Sequence, residues 1–262
     1  MDFESIKALF NDIVQAFNKC KEFYNENKEY IFAIFNAFLQ LPAYSKIAGD
    51  EWVKYGWVPF LPDSDLVTIA EALEYPKTRE EADERMASAL EKCTYDVLFQ
   101  NISDLLNEKE NNLIMFDESV FCFKKQKYTS CVLNLFSIID ACFVDGQPKV
   151  ENKSKRKLSR SAVNKMFENE DEQNYILIMY AVIGIIKETF KDAKDFSIQE
   201  DKLYRNFVSH GMNKRVVSKM DCEKMFILLY NTLSLFDAGL FNWDKFKELQ
   251  PIIDENVKEI EQ

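Results

Sequence analysis

The sequence predicts an all-α fold, a helical bundle with an additional helical N-terminal region. Glycine and proline number only six each among 262 residues, which is too few for the many tight turns of a sandwich or barrel. Apolar residues recur at spacings of three and four along most of the chain, and capping residues and glycines mark the ends of these segments. With 47% hydrophobic residues, the chain can bury a substantial core.

The first predicted region, residues 1–90, is helical but irregular in places. Apolar residues follow helical spacing from Phe3 to about Leu41, and Pro42 marks an end. Beyond it, Trp52 and Trp57 stand in a stretch with two prolines, and we expect them to form a packed plug.

A second region, residues 91–240, is predicted to form the main helical domain, followed by a short helix and acidic tail at 241–262. Its first helix is expected to begin in the preceding region, where Thr78 and Glu81 fit a capping box, and to run from Glu80 to about Asn107. Further helices are predicted at 111–123 and 129–143, joined by a basic turn. The second of these is almost wholly apolar, which is typical of a core helix.

The last helices of this domain carry the glycines. A polar start near Asp171 leads into the apolar run "YILIMYAVIGII", where Gly184 would allow close packing. Ser197 and Glu200 stand at capping-box spacing, and Gly211 suits the left-handed residue that ends a helix, so we expect a helix from 198 to 210. Asp221 is predicted to cap the final large helix, which Gly239 ends.

Composition excludes several classes of protein. A net charge of −11 argues against a protein that coats nucleic acid through a general basic field. The six cysteines form no CxxC pair, so we expect buried, reduced thiols in a cytoplasmic protein. The chain start lacks a signal-peptide pattern, and the longest apolar run, residues 176–186, is too short for a bilayer.

Cofactor motifs are absent from the sequence as well. A single histidine without paired cysteines makes a zinc site improbable, and no glycine-rich phosphate loop occurs. We therefore expect no metal and no cofactor, although acidic residues are so frequent that spacing alone leaves a metal cluster of carboxylates open.

The single histidine, His210, stands in "RNFVSHG". Asn206 lies four residues earlier, on the same helix face, where its amide could orient the imidazole. Arg205 lies about 140° around the helix, so only its long side chain reaches the same ligand. The last helical turn favours a protonated imidazole. Two copies of the helix across a twofold axis would form a better pocket than one.

A histidine beside an arginine is the minimum equipment for metal-free RNA cleavage. His210 would move protons for the 2′-hydroxyl nucleophile or the 5′-oxygen leaving group, and Arg205 would stabilise charge on the phosphoryl oxygens. The products would be a 2′,3′-cyclic phosphate and a 5′-hydroxyl. A surface helix that ends in His-Gly is also ordinary, so a structural interpretation stays open.

The stretch "RNFVSHG" resembles the RxxxxH signature of the HEPN superfamily, with Arg205 and His210 at the signature positions and Asn206 at the polar position after the arginine. The segment "YTSCVLNLFSIIDACF" is similar to the HEPN helix that ends in an acid, here Asp140 in place of the usual glutamate. The resemblance spans residues 94–239. It implies a HEPN-like bundle, a homodimer with a composite active site, and an endoribonuclease of phage defence or a toxin with a cognate antitoxin or other regulatory partner. Some HEPN proteins instead bind nucleotides or partners without cleaving RNA.

Basic residues supply candidate RNA contacts. Residues 149–165 contain seven cations and one acid in an otherwise acidic chain. The segment is equally readable as a solvated loop or a dock for an acidic partner. A folded RNA such as tRNA is the expected substrate. The predicted RNA-binding residues are Lys153, Lys155, Arg156, Lys157, Arg160, Lys214 and Arg215.

Overall fold

Helices make up the regular structure in the described part of this chain. A computed structural model describes residues 45–62, 64, 72–145, 164, 177–191 and 202–241. About 74% of this part is helical and it contains no strand, which confirms the predicted all-α class. Its eight helices are α1 (45–55), α2 (Arg79–Cys93), α3 (Tyr95–Leu106), α4 (Glu110–Lys124), α5 (Tyr128–Asp145), α6 (Leu177–Thr189), α7 (Arg205–Ser209) and α8 (Lys219–Asp237).

Several predicted features lie outside the described residues. These are the helices expected over 3–41, the basic segment 149–165 apart from Asn164, the polar start near Asp171, the capping pair Ser197 and Glu200, and the C-terminal helix.

Helix α8 lies at the centre of the core. It packs against α3, α5 and α6, while α5 packs against α4 and α7. The segment Met225–Leu229 is buried on every side, and half of the residues of α5 and most of those of α6 are buried as well. One hydrophobic cluster runs from Ala48 to Phe241, so the described part of the 1–90 region shares its core with the 91–240 region.

The single helix predicted from Glu80 to Asn107 is wrong, because the chain breaks at Thr94. This residue has φ 65° and ψ 150°, and it ends α2 and begins α3. Thr78 does cap α2, since its hydroxyl accepts from the Glu81 N–H at 3.1 Å. The Glu81 carboxylate accepts from the Lys77 N–H at 2.8 Å, one residue before the cap.

The start of α8 also differs from the prediction. Ser218, not Asp221, is the cap residue, and its hydroxyl accepts from the Asp221 N–H at 3.2 Å. The Asp221 carboxylate accepts in return from the Ser218 N–H at 2.8 Å. Asp221 therefore completes a capping box instead of opening the helix.

The predicted packing of the tryptophans and of Gly184 is confirmed. Trp52 and Trp57 are each 1% exposed, and Trp52 Nε1 donates to the Ala72 carbonyl at 2.8 Å. A Cβ at Gly184 would lie 2.6 Å from Val53 Cγ2. Only glycine lets α6 approach α1 this closely.

The cysteines within the described ranges are free thiols. Cys131, Cys142 and Cys222 are buried as expected, whereas Cys93 and Cys122 are only partly buried. Burial raises the pKa of the Cys142 thiol to about 11. Among the residues that the structure describes, one helix is long and apolar enough to cross a membrane, and it is α5, not the 176–186 run. Half of α5 is buried inside the protein, and a core helix of a soluble protein meets the same criteria.

Candidate functional site

The helix that carries the histidine motif is much shorter than predicted. Helix α7 covers only Arg205–Ser209, and residues 202–204 before it are not helical. Tyr204 has extended backbone angles, φ −117° and ψ 123°. A helix of five residues aligns few peptide dipoles, so its C-terminal end lacks the strong dipole that the sequence predicted at His210.

Two aromatic residues and a valine hold α7 in place, and Val208 belongs to the hydrophobic core. Tyr204, Phe207 and Val208 are buried, and the Tyr204 and Phe207 ring centroids lie 5.8 Å apart. The Lys191 ammonium lies 4.4 Å from the centre of the Tyr204 ring, a cation–π contact. Burial of these residues fixes the orientation of the polar side chains on the rest of this short helix.

Arg205 is held by the acid that the sequence singled out. Its Nη2 lies 2.8 Å from Oδ2 of Asp140, which stands near the end of α5. The Asp140 side chain is 10% exposed and that of Arg205 is 32% exposed. The pair joins two segments 65 residues apart and sets the direction of the guanidinium.

Asn206 has a different role from the one expected. Its Nδ2 donates to the Lys191 carbonyl at 3.1 Å, and its Oδ1 accepts from Arg205 Nη1 at 3.4 Å. The amide thus ties α7 to the end of the α6 segment and supports the guanidinium. These contacts give it a positioning role toward Arg205 instead of the predicted role toward His210.

His210 is the residue that closes α7, and its side chain is exposed. Its N–H donates to the Asn206 carbonyl at 3.1 Å. The next two N–H groups complete a Schellman motif, from Gly211 to Val208 O at 3.2 Å and from Met212 to Phe207 O at 2.8 Å. Gly211 has φ 66°, which confirms the left-handed glycine.

The other predicted RNA contacts separate into two groups. Lys214 is exposed in the loop after α7. Arg215 forms two hydrogen bonds to Asp221, at 2.8 and 2.7 Å, and therefore holds the start of α8. Burial, the largest single effect, acts to raise the pKa of Asp221. The contacts with Arg215 act in the opposite direction, and the net result is a lowered pKa. Lys153, Lys155, Arg156, Lys157 and Arg160 lie outside the described residues.

Sequence reasoning missed an exposed apolar group beside the histidine. Met212 is 48% exposed, Val216 is 88% exposed and Met220 is 36% exposed. Met212 is tied by its backbone to α7, and the other two follow in the same loop and in the first turn of α8. The only sequence signal was their spacing of four, which a helical core face shows equally well.

Comparison with known proteins yields no match. No protein-family model, curated protein or solved structure is significantly similar to this chain. The resemblance to the HEPN superfamily therefore depends on Arg205, His210 and the segment that contains Asp140.

A metal centre of carboxylates was left open by the sequence. Within the described ranges, no group of three or more His, Cys, Asp or Glu side chains is arranged to hold a metal ion.

Proposed function

We propose that this protein is a metal-independent endoribonuclease of the HEPN type. One observation carries the proposal: α7 presents the Arg205 guanidinium, oriented by Asp140, and the exposed His210 imidazole from the two ends of one short helix. An acid–base group and a fixed cation on one rigid element are the parts that RNA cleavage by 2′-hydroxyl attack requires.

Each group has a defined task in this reaction. His210 moves a proton, either from the 2′-hydroxyl nucleophile or to the 5′-oxygen leaving group. Arg205 has five N–H donors, and its contacts with Asp140 and Asn206 leave others for phosphoryl oxygens. The products are a 2′,3′-cyclic phosphate and a 5′-hydroxyl end, and DNA is not cleaved because it lacks the 2′-hydroxyl.

A homodimer would complete this site. One chain supplies a single histidine, whereas cleavage needs both an acid and a base, and two chains supply both. The exposed Met212, Val216 and Met220 lie in the segment that follows His210, so a second copy that covers them would bring the two motifs together.

The charge of the protein limits its substrate. A chain of net charge −11 is repelled by RNA in general, so binding depends on local cations and on a folded RNA such as tRNA. Lys214 is the described candidate for such a contact, whereas Arg215 is engaged with Asp221. We place the enzyme in the cytoplasm, in phage defence or as a toxin restrained by a cognate antitoxin.

The test compares wild type, His210→Ala and the neighbouring control Ser209→Ala on total cellular RNA in EDTA. Both residues are exposed at the end of α7, so each substitution should change the free energy of unfolding by less than about 0.5 kcal/mol. We expect discrete cuts with cyclic-phosphate ends from wild type and Ser209→Ala, and none from folded His210→Ala. Equal cleavage by all three proteins would refute the assignment.

A second candidate function follows from the same ion pair. Arg205 commits part of its guanidinium to Asp140, as a purely structural arginine would. This favours a non-catalytic module in which α7 binds a nucleotide or a partner. The absence of cleavage by wild type, together with RNA or nucleotide binding that His210→Ala weakens, would support this candidate.

A further inference from the structure

A small cavity lies beside the residues that lead into α7. It is formed by the end of α1, the start of α2, the end of α6, residues 202–204 and the start of α8, and its volume is about 60 Å³. Two carboxylates line it, Glu188 and Asp221. The lining cations are more numerous: Lys54, Arg79, Lys202, Arg215 and Lys224.

Most of these cations have a carboxylate partner. Arg215 binds Asp221, and the Lys202 and Glu188 side chains lie 3.7 Å apart. The remaining pairs are Lys224 with Asp83 at 3.3 Å and Lys54 with Glu51 at 3.4 Å.

Arg79 is the exception. Its half-buried side chain makes no salt bridge or hydrogen bond to any residue that the structure describes. Among the residues that the structure describes, the cavity therefore holds one positive charge more than its carboxylate partners neutralise, in a protein of net charge −11.

The surroundings of the cavity lower the pKa of Lys224. Its side chain is 14% exposed, and its ammonium donates to the Tyr55 carbonyl at 2.9 Å in addition to its contact with Asp83. Burial lowers the pKa of Lys224, Asp83 raises it, and Arg79 lowers it further. The same ammonium also lies 4.7 Å from the centre of the Trp57 ring.

We propose that this cavity binds a phosphate group. Its volume equals about four to six water-sized spheres, which suits a tetrahedral oxyanion and is well below the roughly 300–1,000 Å³ of pockets that enclose a whole ligand. Arg79 offers the paired donors that a phosphate accepts, and Lys224 adds a buried charge. The ligand is free phosphate or a phosphomonoester whose remaining atoms lie outside the cavity.

This site is separate from the proposed catalytic groups. Tyr204, the residue that precedes Arg205, lines the cavity, so a bound phosphate would contact the segment that positions α7. Binding can be measured without RNA cleavage, and the two proposals can therefore fail independently.

Isothermal titration calorimetry on the full chain, in phosphate-free buffer at 0.1 M salt, tests the site with inorganic phosphate, AMP and uncharged adenosine. The variants are Arg79→Gln and Lys202→Gln, both at the cavity. Lys125→Gln is the matched control, because it removes one exposed cation that does not line the cavity.

We expect Arg79→Gln to weaken binding by about tenfold, the loss of one charge-assisted contact, whereas Lys125→Gln stays within about twofold. Lys202→Gln, at the rim, should also weaken binding. It tests the site independently if Arg79→Gln has a folding defect. Binding of phosphate but not AMP identifies the free ion, and tighter binding of AMP identifies a phosphomonoester. No saturation by either up to about 10 mM, or equal weakening by Lys125→Gln, would overturn the proposal.

Discussion

The ion pair between Arg205 and Asp140 gives the sharpest energetic prediction. Replacing Arg205 by Met keeps a long apolar stem but leaves the carboxylate, which is 10% exposed, without its cation. Removal of one partner from a buried pair costs about 3–5 kcal/mol, and the one-third exposure of Arg205 reduces this to about 2–3 kcal/mol. The melting temperature should fall by about 4–8 °C for each 2 kcal/mol in a chain of this size.

A double-mutant cycle with Asp140→Asn isolates the pair from the other contacts of each residue. In the double variant neither charge remains, so part of the loss should be recovered. We expect a coupling energy of about 2 kcal/mol, the range of hydrogen bonds between charged groups.

The assay is urea unfolding followed by circular dichroism on the four proteins at pH 7. A coupling energy under about 0.5 kcal/mol, typical of exposed pairs, would refute the view that Asp140 fixes the guanidinium. A large coupling would show why His210, and not Arg205, is the residue on which to test catalysis.

Three further outcomes follow from the backbone and from one carboxylate. Gly211→Ala should lower the free energy of unfolding, measured in urea, by about 1 kcal/mol. The cost comes from the backbone, since φ is 66°, and not from a clash, since no atom lies within 4 Å of the new Cβ. An unchanged urea midpoint would contradict this. Gly184→Ala should cost about 1–3 kcal/mol through the 2.6 Å contact with Val53, and Val53→Ala should rescue it. The pKa of Asp221 is lowered in the fold, so its carboxylate stabilises the protein above its ordinary pKa of about 3.9, and this contribution is lost as the pH falls through the lowered pKa. Asp221→Asn should therefore cost about 2 kcal/mol at pH 7 and progressively less below about pH 4, and a pH-independent difference would exclude this linkage.

Local sequence patterns predicted most of the structural features that are set by residues close together in the chain. The glycine at 211 was recognisable because a helix end requires a left-handed residue, and the helices at 110–124 and 128–145 were recognisable from their apolar spacing. The predictions failed where a helix was predicted to be longer than it is. Thr94 breaks a helix through its backbone conformation, which a threonine in the sequence does not predict. Helix α7 begins at Arg205 because Tyr204 is extended and buried.

The sequence by itself determined the all-α class, the helical core and the motif that contains Arg205 and His210, since each depends on residues within a few positions of one another. Only the tertiary structure decided which charges meet. It placed Asp140 beside Arg205 and paired Arg215 with Asp221. It also placed Arg79, Lys202 and Lys224 around one cavity. The Arg205–Asp140 pair and the cavity join side chains from separate segments of the chain, and no spacing within a single helix encodes those distances.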